Sequence, residues 1–150
     1  MKRVLLTVAA ICVFVAGCAQ APSSSLTGPS ITKGSVAYFP PGPQGCTPGY
    51  WKQSQHFDSW PAPYTPSTLF SSVFADAFPG LTLLQVLNLG GGKLNALGRH
   101  TVAALLNSAS GFGLPLSTLQ WYFNSFYNTE LQETVKNNLE EWNEAGCPLS

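Results

Sequence analysis

The sequence predicts an all-α fold: a small bundle of about five helices behind a proline- and aromatic-rich N-terminal loop, closed by one disulfide. Three observations lead there. From about Leu69 onward, apolar residues recur at spacings of three and four, the period of a helix with one buried face. Ahead of three of these runs stands a Thr or Ser followed three residues later by Gln, the pattern of a capping box. Glycine and proline fall between the runs, where they stop helices. A chain of 150 residues has room for one such domain.

Taken in order, residues 47–66 read as a loop, with a turn at Pro48-Gly49 and punctuation at Pro61, Pro63 and Pro66. Thr65-Pro66 reads as an N-cap with proline in the first turn of a helix carrying Leu69, Phe70, Val73, Phe74 and Phe78. Thr82 and Gln85 box the start of a second helix with Leu83, Leu84, Val86 and Leu87, which Gly90-Gly91-Gly92 stops. A third, at about 93–109, is apolar nearly all round and therefore belongs at the centre of the bundle. Ser117 with Gln120 opens a fourth, backed by Leu119, Phe123 and Phe126. Thr129 with Gln132 opens a fifth, with Leu131, Val135, Leu139 and Trp142 on one face, and Gly146 ends it as a C-cap.

The first residues organise differently. Lys2 and Arg3 precede an apolar run from Val4 to Ala16, the layout of a secretory signal and too short a run to span a bilayer as a helix. The ending Val15-Ala16-Gly17-Cys18 resembles the lipobox of bacterial lipoproteins. An ordinary signal cut after Ala19-Gln20-Ala21 would leave Pro22 directly behind the cut, a disfavoured place. The resemblance implies a signal peptide over 1–17 and, on Cys18, a diacylglyceryl thioether with an acylated amino group. Several acyl chains, at about 0.8 kcal/mol per buried CH₂, hold a protein on a membrane where one does so only marginally. Ala19 in place of aspartate favours the outer membrane for a Gram-negative host. Residues 18–45 hold seven Ser and Thr, five Pro and four Gly, a composition that reads as a flexible tether, with "SVAYF" (35–39) as a short strand or a packing segment. The helical domain then spans 46–150.

With Cys12 inside the signal and Cys18 lipidated, Cys46 and Cys147 remain, in a compartment that permits disulfides. Neither lies in a C-x-x-C pair, so the expectation is a structural bridge joining the two ends of the domain. Past the signal, five cations face seven acids, a net charge of −2 that argues against nucleic acid or anionic lipid as an electrostatic partner.

The candidates for chemistry are few. His56, Asp58 and His100 offer nitrogen and oxygen ligands to a metal such as zinc, and would carry a metal-dependent enzyme. Against this, His100 and Asn107 lie seven residues apart on the third helix, within about 20° of one face, and read better as a structural polar seam. No Gly-x-Ser-x-Gly elbow is present, and "GGGK" at 90–93 lacks the flanking strand and spacing of a P-loop. No motif calls for a cofactor. The acids Glu130, Glu133, Glu140, Glu141 and Glu144 read as a solvated helix face, with Lys136 pairing to Glu133 and Glu140. Tyr50, Trp51, Phe57, Trp60 and Tyr64 crowd the proline-rich loop. Exposed, Tyr50, Trp51, Trp60 and Tyr64 would form a stacking platform for a glycan or a partner protein; buried, they would be the lid of the bundle. The lid is favoured, with Trp51 its best member and Trp60 the best exposed residue.

The run "CTPGYWK", Cys46 to Lys52, resembles a signature at the start of uncharacterised modules in secreted bacterial proteins. Those modules continue, as here, to a glycine-rich turn and a helix like "LGRHTVAALLN", Leu97 to Asn107. The likeness covers about 46–150 and implies no assigned activity. The matching Gly49, Tyr50, Trp51, Lys52, Arg99, His100 and Asn107 imply a clamp between the opening loop and the central helix, with Lys52, Arg99, His100 and Asn107 as its polar members. The histidine that commonly follows Trp-Lys after one residue is displaced here to His56, which weakens any ligand set built on it. The expectation for function is a lipid-anchored envelope protein whose helical domain binds an envelope protein or glycan; a metal-dependent enzyme and a purely structural envelope protein are the alternatives.

Overall fold

A computed structural model describes residues 44–149. The signal segment, Cys18 and nearly all of the tether, including 35–39, lie outside the described residues. The fold is the small all-α bundle read from the sequence, with the Cys46–Cys147 disulfide in place. Its helices are α1 (Pro48–Trp51), α2 (Leu83–Leu87), α3 (Leu94–Ala109), α4 (Leu116–Phe126) and α5 (Gln132–Asn143), with 3₁₀ turns at Ser54–Ser59 and Phe70–Ser72. No helix among the described residues is long and apolar enough to cross a membrane.

The central helix is α3, and α1, α2, α4 and α5 all pack on it. Every residue from His100 to Asn107 is buried, as a helix apolar on all sides requires. Against it α4 sets Leu119, Tyr122 and Phe123, and α5 sets Val135, Leu139 and Asn143. The Thr82–Gln85 capping box forms as the sequence indicated, with both reciprocal hydrogen bonds present. Lys136 pairs with Glu133 at 3.1 Å and Glu140 at 2.7 Å.

The helix expected to start at Thr65-Pro66 and to carry Leu69 to Phe78 does not form. Only Phe70–Ser72 makes a 3₁₀ turn, because the backbone here bonds across the chain. Leu69 bridges Thr82, the Phe70 amide donates to the Leu81 carbonyl at 3.0 Å, and the Leu83 amide donates to the Thr68 carbonyl at 2.8 Å. From α4, Asn124 Oδ1 accepts the Ala75 amide at 2.7 Å, and Gln120 Nε2 donates to the Val73 carbonyl at 2.8 Å. The phenylalanines are buried nonetheless: Phe70 lies 5.0 Å, ring to ring, from each of Phe74, Phe78 and Phe123. Burying such a ring is worth about 1.5–3 kcal/mol, so tertiary packing outweighs the single-turn periodicity.

Two other helix starts are corrected. Gln120 is spent on Val73, so Ser117 forms no box, and α4 begins after Pro115 with no side-chain cap. Gln132 donates instead to the Tyr127 carbonyl, so α5 begins at Gln132 with Leu131 as its uncapped N-cap. Gly146 sits past the C-cap Glu144, at φ +101°. It bridges Gly45, whose amide donates to the Gly146 carbonyl at 2.8 Å. Gly45 is buried, so the folded unit begins before Cys46. A Cβ on Gly45 would run into the Trp142 carbonyl and come within 2.9 Å of Asn143 Cα, so the closure needs a residue without a side chain.

Gly98 supplies a test of how tightly α2, α3 and the phenylalanine cluster are packed. A Cβ there would lie 2.5 Å from Phe78 Cζ and 3.0 Å from Val86 Cγ1. Gly98→Ala gains about 1 kcal/mol of helix propensity, but overpacking costs about 1–3 kcal/mol. Phe78 is itself buried against Phe70, so it has little room to yield and the clash wins. A lowered melting temperature is expected; a raised one would show that the Phe78 ring is free to move.

Candidate functional site

The opening turn is held from its first residue. Thr47 caps α1, its Oγ1 accepting the Tyr50 amide at 3.1 Å, and Pro48 follows in the first turn. Those four residues of helix place Trp51 fully inside the domain. There the Trp51 indole N–H donates to Asn107 Oδ1 at 3.0 Å, and the Cys46 amide donates to the same oxygen at 3.0 Å. Asn107 Nδ2 donates to the Cys46 carbonyl at 3.0 Å and to Asn143 Oδ1 at 2.8 Å. One amide thus uses two acceptor and two donor positions, its full capacity. Asn143 Nδ2 then donates to the His100 carbonyl at 2.9 Å. The network joins α1, α3, α5 and the disulfide at one buried point.

Trp51 is the core of the lid, as the sequence suggested. Trp60, expected to be the exposed member, is corrected: it is buried, and its indole N–H donates to the Trp51 carbonyl at 3.1 Å. Tyr50 and Tyr64 are half-buried and pack against the core. The four do not form an exposed stacking platform. Residues 47–60, expected to be loop, are coiled into α1 and a 3₁₀ turn because the indole N–H groups need partners inside.

The polar cluster expected of Lys52, Arg99, His100 and Asn107 also divides. Lys52 is exposed. Arg99 Nη1 donates to the Leu89 and Gly91 carbonyls at 2.7 and 2.9 Å, fastening the glycine-rich turn together with Asn95, whose Nδ2 donates to the Gly90 carbonyl. That inward use of its carbonyls gives the "GGGK" turn a structural job. His100 turns its ring to α5, with Nε2 3.7 Å from Glu140 Oε1. Asn107 meets His100 only through Asn143. Asn143 was missed in the sequence, although its signal is there: Val135, Leu139 and Asn143 are spaced by four, and an asparagine on an apolar stripe needs a buried partner.

The metal reading is overturned by the same placement. His56 lies in the Ser54–Ser59 turn, stacked on Tyr50 at 3.8 Å between centroids. His100 sits on α3 against α5. Among the described residues no three His, Cys, Asp or Glu side chains come close enough to hold an ion, so His56, Asp58 and His100 are not a ligand set.

Beside the disulfide lies an open cleft of about 390 Å³. It is lined by Thr47, Gly49, Tyr50 and Gln53 from the opening turn and by Asn143, Glu144, Gly146 and Cys147 from the end of α5 and beyond, with Gly45. Tyr50 Oη donates to the Leu149 carbonyl at 3.2 Å, and Gln53 Nε2 to the Gly49 carbonyl at 3.0 Å. The lining offers an aromatic ring, amides, a hydroxyl and one carboxylate. The Thr47 hydroxyl is engaged as the α1 cap, and the lining can hydrogen-bond and carries a single negative charge at Glu144. No protein-family model, curated protein or solved structure matches the chain.

Proposed function

We propose that this chain is a lipid-anchored protein of the bacterial cell envelope, held through Cys18, whose helical domain is a binding module. The anchor is supported by Lys2 and Arg3, the apolar run 4–16 and the Gly17-Cys18 ending. The Cys46–Cys147 bridge agrees with export, since such bonds persist in oxidising compartments. The observation that carries the binding reading is the cleft. Trp51, Trp60 and Asn107 are buried in holding the fold, whereas Tyr50, Gln53 and Glu144 border open space, Tyr50 and Gln53 while also bonded to the Leu149 and Gly49 carbonyls. A polar envelope component, a glycan or a protein segment, fits such a lining.

One pair of measurements tests both halves. Cys18→Ser should move the protein from the membrane fraction to the soluble envelope fraction; persistence in the membrane ends the anchor. Residues 28–150, kept oxidised, should sediment with isolated cell-wall glycan or with envelope protein extract. Tyr50→Ala with Gln53→Ala should weaken that by tenfold or more, about 1.4 kcal/mol. Equal binding by both forms rules the cleft out.

A further inference from the structure

His100 is more than nine-tenths buried, yet its ring is poorly satisfied. Nδ1 is buried with no hydrogen-bond partner, and Nε2 faces Glu140 Oε1 at 3.7 Å, beyond hydrogen-bond reach. Glu140 uses its other oxygen on Lys136 Nζ at 2.7 Å, and Lys136 also reaches Glu133. A row of three alternating charges on α5 therefore ends at an imidazole on α3. One residue-long link away, the His100 carbonyl holds Asn143, which lines the cleft and bonds the Asn107 hub.

We propose that His100 is a proton-operated latch in the α3–α5 seam: taking up a proton there weakens the seam and loosens the Asn143 wall of the cleft. The latch rests on the packing around His100 and holds whether or not Cys18 carries lipid. Burial disfavours the charged ring most strongly and pushes its pKa below the ordinary 6.5; Glu140 and Glu133 oppose this, while Lys136 and Arg99 reinforce it. These are the charged groups facing it. The other helices on α3 bring only the phenols of Tyr50 and Tyr122 as titratable side chains, which are uncharged in acid. An unfolded chain protonates its histidine near 6.5 and the folded one only at lower pH, so the unfolded state binds more protons between. Stability then falls as pH drops through that window and is unaffected above it. Glu140, held below its usual 4.5 first by its hydrogen bond from Lys136, titrates in a separate, more acidic window.

The test follows the ring itself. The chain has two histidines, so His56→Gln leaves one imidazole to titrate by NMR. In that background Glu140→Gln should lower the His100 midpoint and Lys136→Met should raise it. The Asn143 side-chain amide signals should shift with the same midpoint. A melting temperature that falls by several degrees from neutral to about pH 5 should lose that fall in His100→Gln. A ring that titrates at the ordinary value, midpoints unmoved by the two α5 substitutions, or Asn143 signals independent of the titration would each overturn the latch. Glu140 and Lys136 are partly exposed on α5 and neither belongs to the buried core, so these variants remain informative if His100→Gln fails to fold.

Discussion

Asn107→Ala is expected to destabilise the domain by about 3–5 kcal/mol, a large share of the ~5–15 kcal/mol that holds a domain together. The size follows from what is left behind. Without the amide, the Trp51 indole N–H and the Cys46 amide lose their acceptor, and the Cys46 carbonyl and Asn143 Oδ1 lose their donor. Each orphaned buried group costs about 1–3 kcal/mol, reduced where water enters the vacated space and bridges some of them. Asn107→Asp should be nearly as damaging despite its shape, because a carboxylate has no hydrogen to give Cys46 or Asn143. Denaturant midpoints measure both. A loss below about 1 kcal/mol for Asn107→Ala would mean that the lid is held by apolar packing alone.

The second large effect belongs to the bridge. Cys46 and Cys147 are 101 positions apart, and releasing a loop of that size frees unfolded-chain entropy worth about 4–5 kcal/mol. Cys46→Ala with Cys147→Ala should lower the melting temperature accordingly. Because Cys46 is fully buried while Cys147 lines the open cleft, reductant should attack the Cys147 sulfur in the folded protein. The bridge and Asn107 secure the same residue, Cys46, so their costs should not add in a double-mutant cycle. An unchanged melting temperature in the double-alanine variant would show that the polar clamp closes the domain by itself.

The legible parts of the fold were those in which local chemistry and tertiary packing agree. The span of α3 follows from a helix apolar on every side, and the Thr82–Gln85 box from two groups that satisfy each other without help. The burial of Trp51 was legible because a small bundle needs a large ring in its core. The failures came where a side chain was recruited from a distance. Phe70, Phe74 and Phe78 are spaced as on a helix, but their rings gather around Phe123 while Asn124 and Gln120 take the backbone groups a helix would have used. The same recruitment removed Gln120 from its expected cap. Trp60 was misplaced for a related reason: its partner is the Trp51 carbonyl, which becomes available only once α1 has coiled. In the candidate site the residue types were right and their grouping was not, since spacing on one helix cannot tell that Asn143 comes between His100 and Asn107.

The bridge between Cys46 and Cys147 also decides how the molecule carries load. A pull on the segment ahead of Cys46, resisted by whatever grips the residues beside Cys147, runs through one pair of sulfurs and leaves. The chain between the two cysteines, a separation of 101 positions and about 350 Å if drawn out, stays off the force path. A ligand seated in the neighbouring cleft would tug at that same junction, and the bundle would hang from it unstretched, like a pendant on a closed link.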